Sequence, residues 1–291
     1  MVVKRVVQFG LLSGLAGVLS GCPPLIGEDF FDGFGLAIED VGDLNGDLIH
    51  ELACGAPDGM GEDGVIYGEV RVYSGISGGR VRNWVGTSPH SRFGSAIAGV
   101  GDMNGDGFGD VLVGAPRHSV TDFQMRGRAV VHSGIDGSIL HEWFGESIGS
   151  EFGLGVASAG DYDGDEVPDA MVAAWQQPGL WGAMAGKVYI YSGADGTELA
   201  NFEGSAEGER LGARVAYVGD LDGDDVGDLL MSTAPVDTGG GEGAAPKAIV
   251  PSRVYVYTGG TGLLHATLFA EAVRDNFGIA LAAMGDVDGD G

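Results

Sequence analysis

The feature that most constrains this chain is a repeat with a period of 59 residues. Three pairs spaced by 59 residues open successive copies, and two further pairs follow after 59 and then 66 residues: Phe34-Gly35, Phe93-Gly94, Phe152-Gly153, Leu211-Gly212 and Phe277-Gly278. An acidic loop begins nine residues after the first member of each pair, at Asp43, Asp102, Asp161, Asp220 and Asp286. Repetition at a fixed period indicates that each copy forms the same supersecondary unit.

One copy predicts four short strands. In the second copy they are Phe93–Val100, Val111–Val113, Arg128–His132 and Ile139–Phe144, with a turn at Asp136-Gly137. The chain carries 56 Gly and only 8% aromatic residues, which favours strands and turns over long helices. Radial repetition of a four-stranded unit, with small residues innermost, predicts an all-β fold, a β-propeller of four-stranded antiparallel blades. A solenoid is the competing repeat architecture, but its units are usually shorter.

The acidic loops have the spacing of calcium ligands. Asp102, Asn104 and Asp106 occupy alternate positions and Asp110 follows four residues later, so a short loop can wrap oxygen atoms around a hard cation. Of the 42 acidic residues, 17 lie in the five loops of this pattern, and clustered carboxylates repel one another unless a cation joins them. The alternative is a set of acidic hairpin loops that bind no metal.

An EF-hand is the rival explanation of such a loop. That motif requires Gly at position six and a bidentate Glu at position twelve between two helices. Here position twelve is Cys54, Val113, Val172 or Met231, and the flanking segments have strand character. The glycine common to all loops is at position four, so we expect a different turn that closes with the carboxylate at position nine.

The motifs around the loops carry a family resemblance. Phe93-Gly94 and Gly114-Ala115-Pro116, with the acidic loop between them, resemble the FG-GAP repeat of the integrin alpha-chain β-propeller, and Phe34-Gly35 with Gly55-Ala56-Pro57 match equally well. The later copies depart from the pattern at Ala173-Ala174-Trp175, at Ser232-Thr233-Ala234-Pro235 and at Leu211. The resemblance covers residues 34–291 and implies blades at 34–92, 93–151, 152–210 and 211–276, with a partial blade at 277–291.

The resemblance also implies ligands for about four to five calcium ions. Side chains at positions one, three, five and nine and the carbonyl at position seven would coordinate each ion. The first set is Asp43, Asn45, Asp47, Ile49 and Glu51; the second is Asp102, Asn104, Asp106, Phe108 and Asp110; the third is Asp161, Asp163, Asp165, Val167 and Asp169; the fourth is Asp220, Asp222, Asp224, Val226 and Asp228; the fifth is Asp286, Asp288 and Asp290. The first set departs from the pattern, since Glu51 is longer than Asp and Leu48 replaces the equivalent of Gly107.

Residues 1–21 have the features of an export signal. Lys4 and Arg5 precede an apolar stretch, and Leu19-Ser20-Gly21-Cys22 follows, which resembles a bacterial lipoprotein signal that leaves Cys22 as the lipid-carrying first residue. A membrane-spanning helix is the alternative, but the stretch is short and interrupted by Gly. We therefore expect an exported protein, lipid-anchored to the cell envelope on its periplasmic face or at the cell surface. Cys54 is then expected to be a buried unpaired thiol.

Residues 22–33 include a second point of similarity. Leu25-Ile26-Gly27-Glu28 precede Phe34 at the distance at which Trp143-Phe144-Gly145-Glu146 precede Phe152, so this segment could supply a ring-closing strand; the alternative is a frayed terminus. The sequence ends within the fifth acidic loop. We therefore expect four complete blades and the start of a fifth, a fragment of a larger and, by the integrin resemblance, seven-bladed ring.

The net charge and the lack of paired catalytic residues restrict the classes of function that the chain can have. The formal net charge is −27, which disfavours nucleic acid and anionic membranes as partners. The six histidines have no repeated Ser, Cys or Glu partner at catalytic spacing. Two classes remain: a calcium-binding adhesion or interaction scaffold for a protein or polysaccharide ligand, or a polysaccharide hydrolase or lyase built on a propeller.

Overall fold

The computed structural model describes residues 31–121, 124–180, 182–224, 226–234, 251–272 and 277–282. These ranges contain no helix and form four antiparallel sheets of four strands. The first sheet holds β1 (Ile38–Asp40), β2 (Leu52–Ala56), β3 (Glu69–Tyr73) and β4 (Arg80–Val85); the second holds β5 (Ala96–Gly101), β6 (Asp110–Ala115), β7 (Arg128–His132) and β8 (Ile139–Phe144). The third holds β9 (Gly155–Gly160), β10 (Asp169–Ala174), β11 (Lys187–Tyr191) and β12 (Glu198–Glu203); the fourth holds β13 (Leu211–Gly219), β14 (Asp228–Thr233), β15 (Arg253–Tyr257) and β16 (Leu264–Phe269).

Each sheet is a propeller blade. The strand order within every sheet follows the chain, and the first strands β1, β5, β9 and β13 pack against one another in succession. The prediction of a β-propeller with four-stranded antiparallel blades is therefore confirmed. We number the blades one to four in chain order.

The predicted strand bounds of blade two are partly right. The third and fourth strands match the prediction residue for residue, whereas the first begins at Ala96 instead of Phe93. Gly94 has a φ of +85°, and the N–H of Ser95 donates to the carbonyl of Arg92, so the Phe-Gly pair forms a turn that leads into the strand. The second strand extends to Asp110–Ala115, which brings the closing carboxylate of the loop into the sheet.

The Phe-Gly and Gly-Ala-Pro motifs meet where neighbouring blades join. The side chains of Phe93, Phe152 and Leu211 are almost fully buried. A Cβ on Gly114 would lie 1.9 Å from the carbonyl oxygen of Gly153, so the two backbones approach too closely for a side chain. This contact explains why the glycine is part of the motif.

Aromatic residues also join each blade to the next. Trp84 of blade one stacks on His132 of blade two with ring centroids 5.0 Å apart, and Trp143 stacks on Tyr191 at 4.6 Å. Phe202 packs on Tyr257 with ring centroids 4.4 Å apart and the rings tilted by 46°. Trp84, Trp143 and Phe202 are each 8% exposed. Leu268, at the corresponding place in blade four, is 49% exposed. The inter-blade contact, and not the blade itself, buries this position.

Several predictions concern residues outside the described ranges. They are the signal segment 1–21, Cys22, the ring-closing strand at Leu25–Glu28 and the fifth loop with Asp286, Asp288 and Asp290. Cys54 lies within the described part of the chain, and the prediction that it is buried and unpaired is confirmed. Burial raises the pKa of its thiol. The described residues include no helix long and apolar enough to cross a bilayer.

Candidate metal centres

The first aspartate of each loop organises the loop backbone. The carboxylate of Asp102 accepts hydrogen bonds from the N–H groups of Gly105, Asp106 and Gly107 at 2.7 to 3.1 Å. Asp43, Asp161 and Asp220 hold the corresponding backbone groups of their own loops. The carboxylate therefore faces the inside of the loop, where a cation would lie.

Positions three and five continue the same arrangement. The side-chain oxygen of Asn104 accepts from the N–H of Asp106, and that of Asp106 accepts from the N–H of Phe108. Each side chain thus binds the backbone two residues further on, an Asx-turn that fixes its oxygen toward the loop centre. Loop three repeats the pattern with Asp163 and Asp165, which accept from Asp165 and Val167.

Two positions of the acidic loops adopt left-handed backbone: position four in the four described loops and position six in loops one to three. The glycines at position four, Gly46, Gly105, Gly164 and Gly223, have φ between +73° and +83°. Position six is also left-handed, with φ values of +66° at Leu48, +88° at Gly107 and +70° at Glu166. The expectation that the shared glycine makes the turn is confirmed, and Leu48 and Glu166 adopt the second left-handed conformation without being glycine.

The carboxylate at position nine is buried and accepts hydrogen bonds from the backbone of two different turns. Asp110 is fully buried, and its oxygens accept from the N–H of Met103 at 2.8 Å and from the N–H of Gly134 at 3.1 Å. Asp169 accepts from Tyr162 and Gly193, and Asp228 accepts from Leu221 and Gly259, in the same geometry. This residue therefore ties the acidic loop to the turn between the third and fourth strands.

Burial has an electrostatic consequence at this position. Desolvation raises the pKa of Asp110 to about 6, against the two backbone hydrogen bonds that lower it, and the nearby carboxylates of Asp106 and Asp102 raise it further. Asp169 behaves alike, with a pKa of about 6. Desolvation also raises the pKa of Glu51, which accepts from the N–H of Leu44 at 2.8 Å. A nearby cation would offset this penalty.

The sequence pattern predicts position nine only as a metal ligand, whereas the structure shows that it is also a hydrogen-bond acceptor for a distant glycine. The partner glycines are Gly75, Gly134, Gly193 and Gly259, each of which directly follows a Ser or Thr. The Ser-Gly pair recurs at a constant distance from the Phe-Gly pair in the first three copies. The recurrence of the Ser-Gly pair is the sequence feature that indicates a shared contact at this turn.

Loops three and four bring three carboxylates together. In each of them, the residues at positions one, three and five offer one oxygen each, all within 4.8 Å of one another: Asp161, Asp163 and Asp165, and Asp220, Asp222 and Asp224. Desolvation, followed by the charge of Asp165, raises the pKa of Asp163, and the pKa of Asp222 is raised in the same way by desolvation and Asp224. Oxygen ligands at this separation suit a calcium ion.

Loops one and two have an asparagine at position three. The Asn104 amide nitrogen donates to Asp106 at 2.9 Å, and the Asn45 amide nitrogen donates to Glu51 at 2.7 Å. At position three, loops one and two therefore have a neutral amide that donates to a carboxylate, whereas loops three and four have a third negative charge. All four described loops nevertheless present oxygen ligands only, so their residues fit calcium or a similar hard cation.

The loops are open to solvent, and the described histidines lie mostly apart from them. A cavity of about 400 Å3 adjoins loop three and is lined by Asp161, Tyr162 and Asp163. His118 and His132 are buried, and desolvation lowers the pKa of each. His265 approaches loop four, with its Nδ1 4.0 Å from Asp222.

Comparison with known families finds a match to one copy of the repeat. Residues 93–132 match the family model described as FG-GAP repeat. The chain is 33% identical to human integrin alpha-7 over 162 residues, which are 52% of this chain and 13% of that protein. It is 30% identical to Xenopus laevis integrin alpha-5 over 60% of this chain and 18% of that protein, and 31% identical to chicken (Gallus gallus) integrin alpha-V over 69% and 19%. The chain thus spans less than a fifth of the length of these relatives.

Two rhamnogalacturonan lyases are among the solved structures that align with this chain. Bacillus licheniformis rhamnogalacturonan lyase PL11 aligns with a TM-score of 0.43 and 15% identity over 79% of this chain and 50% of that chain. Rhamnogalacturonan lyase YesW aligns with a TM-score of 0.41 and 14% identity over 80% and 48%.

Proposed function

We propose, from the premise that this chain carries FG-GAP repeats in an integrin alpha-like β-propeller, that it is a calcium-stabilised scaffold for adhesion or ligand binding outside the cytoplasm. The observation that carries the proposal is the common geometry of the four described acidic loops. Each loop has an aspartate at position one that binds the loop backbone and closes on a buried carboxylate, and loops three and four bring side-chain oxygens of positions one, three and five within 4.8 Å of one another. The loops would hold calcium through these residues and the carbonyl at position seven.

Calcium would act on stability in this scaffold. When bound, the ion supplies positive charge that neutralises the clustered carboxylates and links the two ends of the loop. A site at ten times its dissociation constant adds about 1.4 kcal/mol to the free energy of unfolding, so four sites add roughly 5 to 6 kcal/mol. That sum is comparable to the net stability of a whole domain.

Thermal unfolding with and without chelator tests this function. We expect excess EDTA to lower the melting temperature by roughly 10 to 20 °C, since 1 kcal/mol corresponds to about 2 to 4 °C for a chain of this size. Calcium should restore the original curve, whereas magnesium at the same concentration should restore it less, because magnesium demands a stricter octahedral geometry. Identical curves in EDTA and in calcium would exclude the proposal.

The partner would be a protein or polysaccharide at the cell surface, bound through the loops that connect strands and blades. Binding and catalytic residues concentrate on loops that a rigid scaffold positions. The export signal would place the protein in the cell envelope, anchored by a lipid on Cys22. Replacing Cys22 with Ser should move the protein from the membrane fraction to the soluble fraction, and a variant that stays with the membrane would contradict the lipid anchor.

A further inference from the structure

A second cavity lies where the first strands of the four blades converge. Its volume is about 400 Å3, and residues from all four blades line it, with Leu36, Ile97, Val156 and Val215 among its apolar walls. In blades one to three these residues lie at the beginning of the first strand or just before it, and Val215 lies within β13, whereas the acidic loops follow the end of the first strand. The axial cavity and the metal loops therefore occupy opposite ends of the blades.

Arg214 breaks the repeat at this cavity. The equivalent position, three residues after the opening Phe or Leu, is Ala37, Ala96 or Gly155 in the other blades. Small residues suit the place where strands converge, yet Arg214 lines the cavity and is exposed. The pairing of β13 with β14 shifts register between Leu211 and Arg214, the kind of irregularity that redirects a side chain.

The Arg214 guanidinium is available to a ligand. Its Nη1 donates to the carbonyl of Ala213 at 2.6 Å, and within the described ranges it forms no ion pair. An arginine has five N–H donors, so most of its capacity is unused by this one contact.

Arg92 brings a second guanidinium to the cavity from blade two. It precedes Phe93 and has a φ of +57°, a strained conformation for a residue with a side chain. Its Nε lies 3.7 Å from Asp58, is buried, and makes no hydrogen bond within the described part of the chain. The equivalent residues Gly33, Glu151 and Arg210 share this left-handed conformation, so it belongs to the turn of the repeat.

The lining of the cavity is richer in arginine than the rest of the chain, although Arg92 also faces Asp58. This lining includes two arginines and one acidic residue, Glu39, whereas the whole chain has 15 Lys and Arg against 42 Asp and Glu. The exposed Arg214 guanidinium beside apolar walls is a favourable place for an anion, because low-dielectric walls focus the field of a charge. Guanidinium groups match the planar geometry of a carboxylate.

We propose that the axial cavity binds a small organic carboxylate with an apolar body, held by Arg214 and Arg92 against the apolar walls. The site would give the proposed scaffold a ligand-binding function of its own, and to that extent it rests on the proposed function. It uses no residue of the acidic loops.

Calorimetric titration with 2-naphthoate tests the proposal, with the uncharged 2-naphthalenemethanol as the matched probe. We expect naphthoate to bind the calcium-loaded protein and the alcohol to bind about tenfold or more weakly, because a charge-assisted hydrogen bond is worth about 1.5 kcal/mol or more. Arg214→Ala, which installs the residue of blades one and two, should weaken naphthoate binding by about tenfold. Arg92→Gly, which installs the residue found at Gly33, should also weaken it.

The control is Arg117→Ala, which removes an exposed arginine that does not line the cavity and should leave naphthoate binding unchanged. Equal binding of the two probes, or equal affinity of wild type, Arg214→Ala and Arg92→Gly, would overturn the proposal. Should Arg214→Ala fail to fold, as judged by its melting curve, Arg92→Gly decides alone. Loss of the calcium effect on melting refutes the scaffold proposal, whereas absence of naphthoate binding in a calcium-stabilised protein refutes only the cavity proposal.

Discussion

Loops two and three have the same backbone and differ in charge. Both begin with an aspartate that holds three N–H groups, and both close on a buried aspartate whose pKa is raised to about 6. Position three is Asn104 in one loop and Asp163 in the other. Asn104 donates to Asp106, whereas Asp163 adds a third carboxylate to a cluster of oxygens within 4.8 Å.

The comparison separates two roles of the acidic residues. The closing carboxylate has a structural role, since it accepts from backbone N–H groups on two different turns. The carboxylate at position three is exposed and is replaceable by an amide of the same shape. Sequence alone gives both residues the same role, as ligands of one ion.

The largest expected effect comes from Asp169→Asn. The amide retains one acceptor but presents its NH2 to the N–H of Tyr162 or of Gly193, so a buried donor faces another donor. We expect a loss of about 2 to 3 kcal/mol in the free energy of unfolding, measured by urea denaturation in EDTA. Asp163→Asn removes the same charge from the same loop and should cost far less under these conditions. Equal losses for the two variants would show that charge alone, and not the buried hydrogen bonds, sets the stability of the loop.

The exchange of position three between the loops should have an intermediate effect on metal binding. Asp163→Asn gives loop three the ligands of loop two, and we expect its calcium affinity to fall by about tenfold because calcium affinity depends on the number of charged ligands. Asn104→Asp should raise the calcium affinity of loop two in return. Competition with a chromophoric chelator measures both changes. If neither substitution alters the affinity, the comparison of the two loops by charge is wrong.

The smallest expected effect concerns position six. Leu48 is left-handed and 87% exposed, whereas Gly107 occupies the same place in loop two. Leu48→Gly should stabilise the protein by about 0.5 to 1 kcal/mol, because glycine adopts this conformation without steric cost and few contacts are lost. Gly107→Leu should destabilise it, and thermal unfolding in calcium reports both. A destabilised Leu48→Gly variant would contradict this account of loop one.

Most of the fold can be predicted from the repeat and from the motifs that recur in each copy. The spacing of the Phe-Gly pairs, together with the apolar segments between them, predicts four-stranded blades, and two strands of blade two match residue for residue. The first strand is shorter than predicted because the glycine after Phe93 turns the chain before pairing begins. A periodic pattern reports which residues are apolar, but it does not report where the backbone becomes extended.

The sequence by itself determined the repeat, the propeller blades and the acidic composition of the loops, since these follow from local spacing and residue type. Tertiary structure decided which acidic residues are buried, because position nine meets a glycine that is distant in the chain. It also decided that Trp84, Trp143 and Phe202 are covered while Leu268 is exposed, since the next blade supplies the cover. The meeting of Arg92 and Arg214 at one cavity has the same origin: they belong to blades two and four, and only convergence of the first strands brings them together.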